Sequence, residues 1–584
     1  MTTPTPTLDG RASLRIGGFS SVPEGLAYAG EGGTGVNFYS IKGELAEALP
    51  YRVLAEQAAA LARRLLGRGF ARGERIGVVA ETDGDFLRLF FAAQLAHLIP
   101  VPLPLPQAFG GKGGYAAHVR GMIESSGACA VFGPAALVPM LSGAVAGLNL
   151  RLCGTLAVLE DCGDTHPLTP VSETDIAYIQ FSSGSTRFPL GVAVTHRALL
   201  ANARVIAQHG LAIRSGDRCV SWLPFFHDMG LVGFMLTPML SQMSVDLLAT
   251  RDFARRPLQW LNLISANKGS LSYSPSFGYD LCARRAQSLD LSTLDLSSWR
   301  AAGIGGDMVR GNTLRRFADT FARSGFRAEA FVPSYGLAEA TLAISFAPLD
   351  RGLEVDRVDI EALEATGIAK PAAAGTEVRT REFALCGPVL PEHEAEIRGP
   401  SGERLGERHV GQIFIRGPSL MREYFEREEE TRQVLSPEGW LDTGDLGYWL
   451  GDTLVITGRR KDLILINGRN IAPQDLEWAV ESEVGGVRSG DVAAFSVDDG
   501  EAERLVLVVE TRLRDTEERA ALRIAIQGAV RARAGLEAEI VLVPAHSLPH
   551  TSSGKLSRRR TRDLFLQGAF AQTGETAHVT AEAE

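Results

Sequence analysis

Between residues 51 and 103 the chain alternates twice between a helical pattern and a short apolar run. Residues 51–66 read as a helix, 75–80 as a β-rich run, 85–98 as a second helix and 99–103 as a second strand. Such alternation builds a mainly parallel sheet covered by helices, because parallel neighbours need a long crossover and a helix supplies one. The long first region is therefore expected to be α/β. Its most apolar stretch, 90–106, is broken by His97, Pro100, Pro102, Pro104 and Pro106. A continuous membrane-spanning helix of about 20 residues is thereby excluded, and the stretch reads as a buried helix running into a strand. No repeat of 20–50 residues is evident, which argues against a solenoid.

A chain of 584 residues, 45% apolar and 22% charged, exceeds one ordinary domain and should hold at least two cores. The break falls at Gly458-Arg459-Arg460-Lys461-Asp462, a charged turn after the apolar run Thr453-Leu454-Val455-Ile456-Thr457. Beyond it a new series begins: β-rich runs at 492–497, 505–510 and 539–544, with a helix over 516–534. This predicts a small α+β domain over 463–567, a hinge at 458–462 and a large domain over 1–457, with 568–584 as a disordered tail. Residues 349–382 read as a long loop region. The first seven residues lack the basic and apolar parts of a secretory signal. Six cysteines, at 129, 153, 162, 219, 282 and 386, have no metal-ligand spacing and suit reduced thiols in a cytoplasmic protein. A net charge of −10 argues against general nucleic-acid binding.

Two distant segments carry the chemistry. Ser182, Ser183, Gly184, Ser185 and Thr186 form a hydroxyl-rich glycine loop after the apolar run 176–181, of the kind whose N–H groups and hydroxyls wrap phosphate oxygens. Far downstream, Thr551-Ser552-Ser553-Gly554-Lys555 delivers a lysine that can neutralise charge developing at phosphorus. Between them, in order, stand Trp222-Leu223-Pro224-Phe225-Phe226-His227-Asp228-Met229-Gly230, Ser334-Tyr335-Gly336-Leu337-Ala338-Glu339-Ala340-Thr341, Trp440-Leu441-Asp442-Thr443-Gly444-Asp445, and the 458–462 turn. This series resembles the adenylate-forming superfamily of acyl-CoA synthetases, peptide-synthetase adenylation domains and beetle luciferases. The resemblance spans roughly residues 40–565 and is strongest to the fatty acyl-AMP ligases.

The resemblance implies a large α/β adenylation domain with mostly parallel sheets and a mobile C-terminal lid. It implies ATP and Mg2+ as cofactors, a fatty acid as substrate and a holo-acyl carrier protein as acceptor. The 182–186 loop would hold phosphates, with Thr186 and Glu339 on the metal. Arg187 and Leu190 depart from the family's glycine and lysine, and Arg187 would supply the missing charge. Ser334, Tyr335, Gly336 and Leu337 would face the adenine, with Gly305, Gly306 and Asp307 opposite. Asp445 matches the ribose ligand, Arg459 a second ribose or phosphate contact, and Asp462 the hinge. His227 would gate the acyl, nucleotide and carrier-arm channels. Lys555 would bridge the acyl carboxylate and the α-phosphate. The cluster Arg558-Arg559-Arg560 offers a docking surface for an acidic carrier.

Other readings are weaker or need assays. A P-loop is excluded because Lys555 is followed by Leu556 and the required upstream glycine is Pro549. A hydrolase elbow at Ser274-Pro275-Ser276-Phe277-Gly278 lacks its first glycine. An acyl-CoA synthetase shares every adenylation residue and differs only in acceptor. A non-catalytic nucleotide sensor would keep the pocket without turnover, against which Glu339, Asp445 and Lys555 all stand intact.

Overall fold

The alternation at the start of the chain folds into helix Tyr51–Gly67, strand Arg75–Val79, helix Gly84–Leu95 and strand Ile99–Leu103. The two strands pair in parallel, Arg75 opposite Ile99. The second helix stops at Leu95, short of 98, because His97 adopts φ 56° and turns the chain back. Its start is fixed by Asp83, whose carboxylate accepts the Phe86 N–H at 2.9 Å. These strands belong to a four-stranded parallel sheet, with Ala130–Phe132 and Leu152–Gly154 completing it.

The computed structural model describes residues 13–106, 112–162, 165–181, 190–287, 289–373, 379–466, 469–498, 503–550 and 556–570. Among them the largest sheet has eight strands, in the order Ala343–Phe346, Phe331–Gly336, Ala301–Ile304, Leu271–Ser274, Cys219–Ser221, Val245–Leu248, Gly35–Tyr39 and Leu45–Pro50. Interior neighbours are parallel and both edge pairs are antiparallel. The strands at 245–248, 271–274 and 301–304 are buried at every position, as expected of parallel strands covered on both faces. Ser272 survives there because its hydroxyl donates to the Val220 carbonyl and accepts from the Trp260 indole.

A four-stranded antiparallel sheet, Glu394–Arg398, Gly411–Arg416, Leu441–Leu450 and Thr453–Arg459, follows and leads into the turn Arg460–Asp462. The expectation of a long loop over 349–382 is corrected. That region holds strand Val355–Asp359, helix Ile360–Thr366 and most of strand Thr380–Ala384, with the two strands paired antiparallel. The glycine- and alanine-rich composition concealed short elements that are stable only by packing, around Val358, Phe383, Tyr448 and Val455.

After the turn, Ile464, Leu476, Val480, Val509, Ile526 and Leu542 form a separate apolar core. It lies between helices Pro473–Glu483 and Thr516–Ala534 and a three-stranded mixed sheet. Helix Pro473–Glu483 also faces the preceding domain. Asp475 accepts from Arg381 at 3.1 Å, with both side chains below 10% exposed, and Glu481 pairs with Arg310 at 2.5 Å. No helix among the described residues is long and apolar enough to cross a membrane.

Candidate active site

Strand Phe331–Gly336 ends beside a 3-10 turn, Ala338–Ala340, before the chain returns antiparallel as Ala343–Phe346. Gly336 is required at this corner, since a Cβ there would lie 1.8 Å from the Leu342 carbonyl oxygen. Thr341 closes the turn at φ 68°, ψ −55°, a strained conformation for a β-branched residue. Its hydroxyl donates to the Ser419 carbonyl at 2.7 Å, which helps hold that conformation. The product of this corner is Glu339, presented at the edge of a cleft.

Glu339 does not stand alone. The Tyr424 hydroxyl donates to its Oε1 at 2.8 Å, and the Glu339 carbonyl accepts from the Met421 N–H at 2.7 Å. Withdrawal from water raises the Glu339 pKa above the ordinary carboxylate range, and the Tyr424 hydroxyl opposes that rise. Sequence reasoning missed Tyr424. It sits on a two-residue strand, Glu423–Tyr424, too short to leave a periodic signal, and reaches the site by pairing with Gly191–Thr195.

Asp445 comes from strand Leu441–Leu450, directly opposite Arg459. The Tyr335 hydroxyl donates to Asp445 Oδ2 at 2.8 Å, and Arg459 Nε lies 3.3 Å from Oδ1. Asp445 raises the Arg459 pKa, and burial together with Asp445 keeps the Tyr335 hydroxyl protonated. An aromatic face, a carboxylate and a guanidinium are thus fixed together, the set that can hold a base, a diol and a phosphate.

In the same cleft, His227 Nδ1 lies 2.5 Å from Asp228 Oδ1. Both start a π-helical stretch, Met229–Leu236, and the Asp228 carboxylate accepts the Met229 N–H at 2.7 Å. Gly230 is needed because a Cβ would sit 2.2 Å from the Pro224 carbonyl oxygen. No cluster of His, Cys, Asp or Glu suited to a metal ion without further ligands occurs among the described residues.

Tyr335, Glu339, Tyr424, Arg459, His227 and Asp228 line one cleft of about 490 Å3, and Asp445 is bonded to Tyr335 and paired with Arg459 beside it. Its polar lining includes Tyr335, Glu339, Tyr424 and Arg459; its apolar lining includes Ile206, Leu211, Phe234, Leu342 and Phe346, and His227 also lines it. Gly305, Gly306, Ser334, Gly336 and Leu337 line it too, as do Arg460, Lys461 and Asp462 of the turn. The Asp307 carboxylate accepts its neighbour's N–H, from Met308, at 2.8 Å. Ser182, Ser183, Gly184, Ser185, Thr186, Arg187 and Lys555 lie outside the described residues, although Phe181 and Leu190, on either side of 182–189, line the cleft.

Residues 41–425 match the family model of the AMP-binding enzymes. A putative acyl-CoA synthetase of Caulobacter vibrioides is 49% identical over 567 residues, covering 97% of this chain and 98% of that protein. JamA of Moorena producens, a medium-chain-fatty-acid–[acyl-carrier-protein] ligase, is 32% identical, covering 91% and 92%. A solved structure from studies of the fatty acyl-adenylate ligases of E. coli and L. pneumophila superposes with TM-score 0.91 at 43% identity, covering 96% of this chain and all of that one. The chain therefore belongs to the AMP-binding enzyme family, as an adenylate-forming fatty acid ligase.

Proposed function

We propose that the protein activates a fatty acid as its acyl-adenylate and passes the acyl group to the phosphopantetheine thiol of an acyl carrier protein. The observation that carries the reading is one cleft lined both by apolar side chains and by Tyr335, Arg459 and Glu339, with Asp445 bonded to Tyr335 and paired with Arg459. A fatty acid laid against the apolar lining would direct its carboxylate toward these polar groups. Tyr335 then stacks on adenine while Asp445 accepts from the ribose hydroxyls, which fixes the α-phosphorus before the attacking oxygen. The carboxylate oxygen bonds to that phosphorus as the bond to pyrophosphate breaks. Lys555 would neutralise the charge that builds there.

A carboxylate at the cleft edge, oriented by a tyrosine hydroxyl, is the hard oxygen donor that Mg2+ prefers. Glu339 and Thr186 would hold that ion, which offsets phosphate charge when bound. In the second half reaction the thiolate attacks the acyl carbonyl and AMP leaves. His227, which lines the same cleft, would gate the thiol's approach.

The carrier as acceptor draws support from the likeness to JamA, a carrier-protein ligase. Free coenzyme A is the second reading, favoured by the likeness to a putative acyl-CoA synthetase. Enzyme, ATP and a chain-length series of fatty acids, offered either coenzyme A or holo-carrier protein, separate the two. Acyl-carrier as the dominant product is expected; efficient acyl-CoA formation gives the assignment to the synthetase reading.

A further inference from the structure

Arg558 belongs by sequence to a basic run, yet its side chain is only 17% exposed. Its Nε and Nη2 donate to the two carboxylate oxygens of Glu477, each at 2.7 Å. Glu477 is 2% exposed and also accepts the Ala494 N–H at 3.1 Å, so this pair is an anchor inside the C-terminal domain. The remaining nitrogen, Nη1, donates at 3.1 Å to Asp462, the last residue of the turn that joins the domains. Burial would lower the Arg558 pKa, but Glu477, Asp462 and the nearby Asp307 carboxylate hold it above its ordinary value. The correction to the sequence reading is direct: Arg559 and Arg560 are exposed, and Arg558 is not available for docking a partner.

The position of Arg558 matters more than its burial. His550 and Leu556 pair antiparallel, and the Ser557 N–H donates to the Pro549 carbonyl at 2.9 Å. Residues 549–550 and 556–557 are therefore tied together, and Arg558 is the next residue along. Glu477 alone satisfies the charge of Arg558 within one rigid domain. The bond to Asp462 is the one that reaches the pivot.

We propose that Arg558 is a positioning residue that couples the hinge turn to helix Pro473–Glu483 of the C-terminal domain, holding Asp462 to Glu477 in this orientation of the lid and releasing it when the lid turns. The proposal rests on the reading that the lid pivots at 458–462. A lysine cannot reproduce it, since one ammonium lacks the planar fork that grips Glu477 and reaches Asp462 together.

The test uses the full-length enzyme with Arg558→Gln, Arg558→Lys, Asp462→Asn and the Arg558→Gln/Asp462→Asn double variant. Two quantities are read: tryptic cleavage after Arg460, followed by mass spectrometry, and the ratio of acyl-AMP formation to acyl transfer from preformed acyl-AMP. Arg558→Gln and Asp462→Asn should each speed hinge cleavage and shift the ratio by about 10-fold, with the double variant no further displaced than either single one. Arg558→Lys should fall between. Additive effects, or equal loss in both half reactions with unchanged hinge cleavage, would overturn the proposal. If Arg558→Gln fails to fold, Asp462→Asn alone must still show the cleavage and ratio changes. Proteolysis needs no turnover, so a wild type that makes no acyl-AMP would defeat the functional reading while the cleavage result still judges the coupling.

Discussion

Tyr424 and Lys555 give the sharpest tests of the proposed chemistry at the scale of single residues. Replacing Tyr424 by Phe removes the hydrogen bond to Glu339 and leaves the ring in place. The Mg2+ concentration needed for half-maximal adenylation should rise about 10-fold, as loss of an outer partner of a metal ligand usually does. Thermal melting should move little, and an unchanged Mg2+ requirement would reduce Tyr424 to packing. Lys555→Ala should slow acyl-AMP formation on the order of 100-fold or more while ATP still binds, read by single-turnover kinetics and calorimetry. At this scale the sequence was legible where a residue sat inside an ordered motif. Tyr335, Glu339, Asp445 and Arg459 were readable in that way and do line or flank one cleft. Tyr424 was not, because its role comes from strand pairing with distant residues rather than from local spacing.

Among the elements, helix Gly84–Leu95 gives the clearest pH-dependent consequence. Its cap residue Asp83 is pushed up to about 6, mainly by burial, with Asp85, Glu81 and Glu47 adding to the rise and the Phe86 N–H opposing it. A carboxyl with a raised folded pKa binds its proton more tightly in the folded chain. Stability is therefore fully present below the unfolded value near 4, is lost as pH rises toward 6, and stays reduced above it. Asp83→Asn keeps a cap acceptor and removes the charge, so it should stabilise the protein above pH 6 by on the order of 1–2 kcal/mol and have little effect at pH 4. Urea unfolding at the two pH values measures this, and equal effects at both would contradict the assignment. The helices and strands of residues 51–103 were legible because their patterns are long and regular. The strands and helix between 355 and 384 were not, since short elements with alternating exposure owe their form to the surface they pack on.

Across the whole molecule, arginine–carboxylate pairs join the two domains at Arg381–Asp475, which is buried, and at Arg310–Glu481, where only the carboxylate is. Pairing of this kind leaves no signal in the sequence, since the partners lie 94 and 171 residues apart. The exposed Arg559 and Arg560 remain candidates for meeting an acidic carrier. Reversing both to Glu should raise the KM for carrier protein and flatten its salt dependence while acyl-AMP formation stays near normal. A parallel loss of adenylation would place these arginines in the lid's own packing instead. The central claim is that this cleft makes an acyl-adenylate without help from the acceptor. Fatty-acid-dependent exchange of labelled pyrophosphate into ATP, with neither coenzyme A nor carrier protein present, tests it most directly. Exchange that requires both Mg2+ and a fatty acid is the predicted result; no exchange under any fatty acid of the series would contradict it.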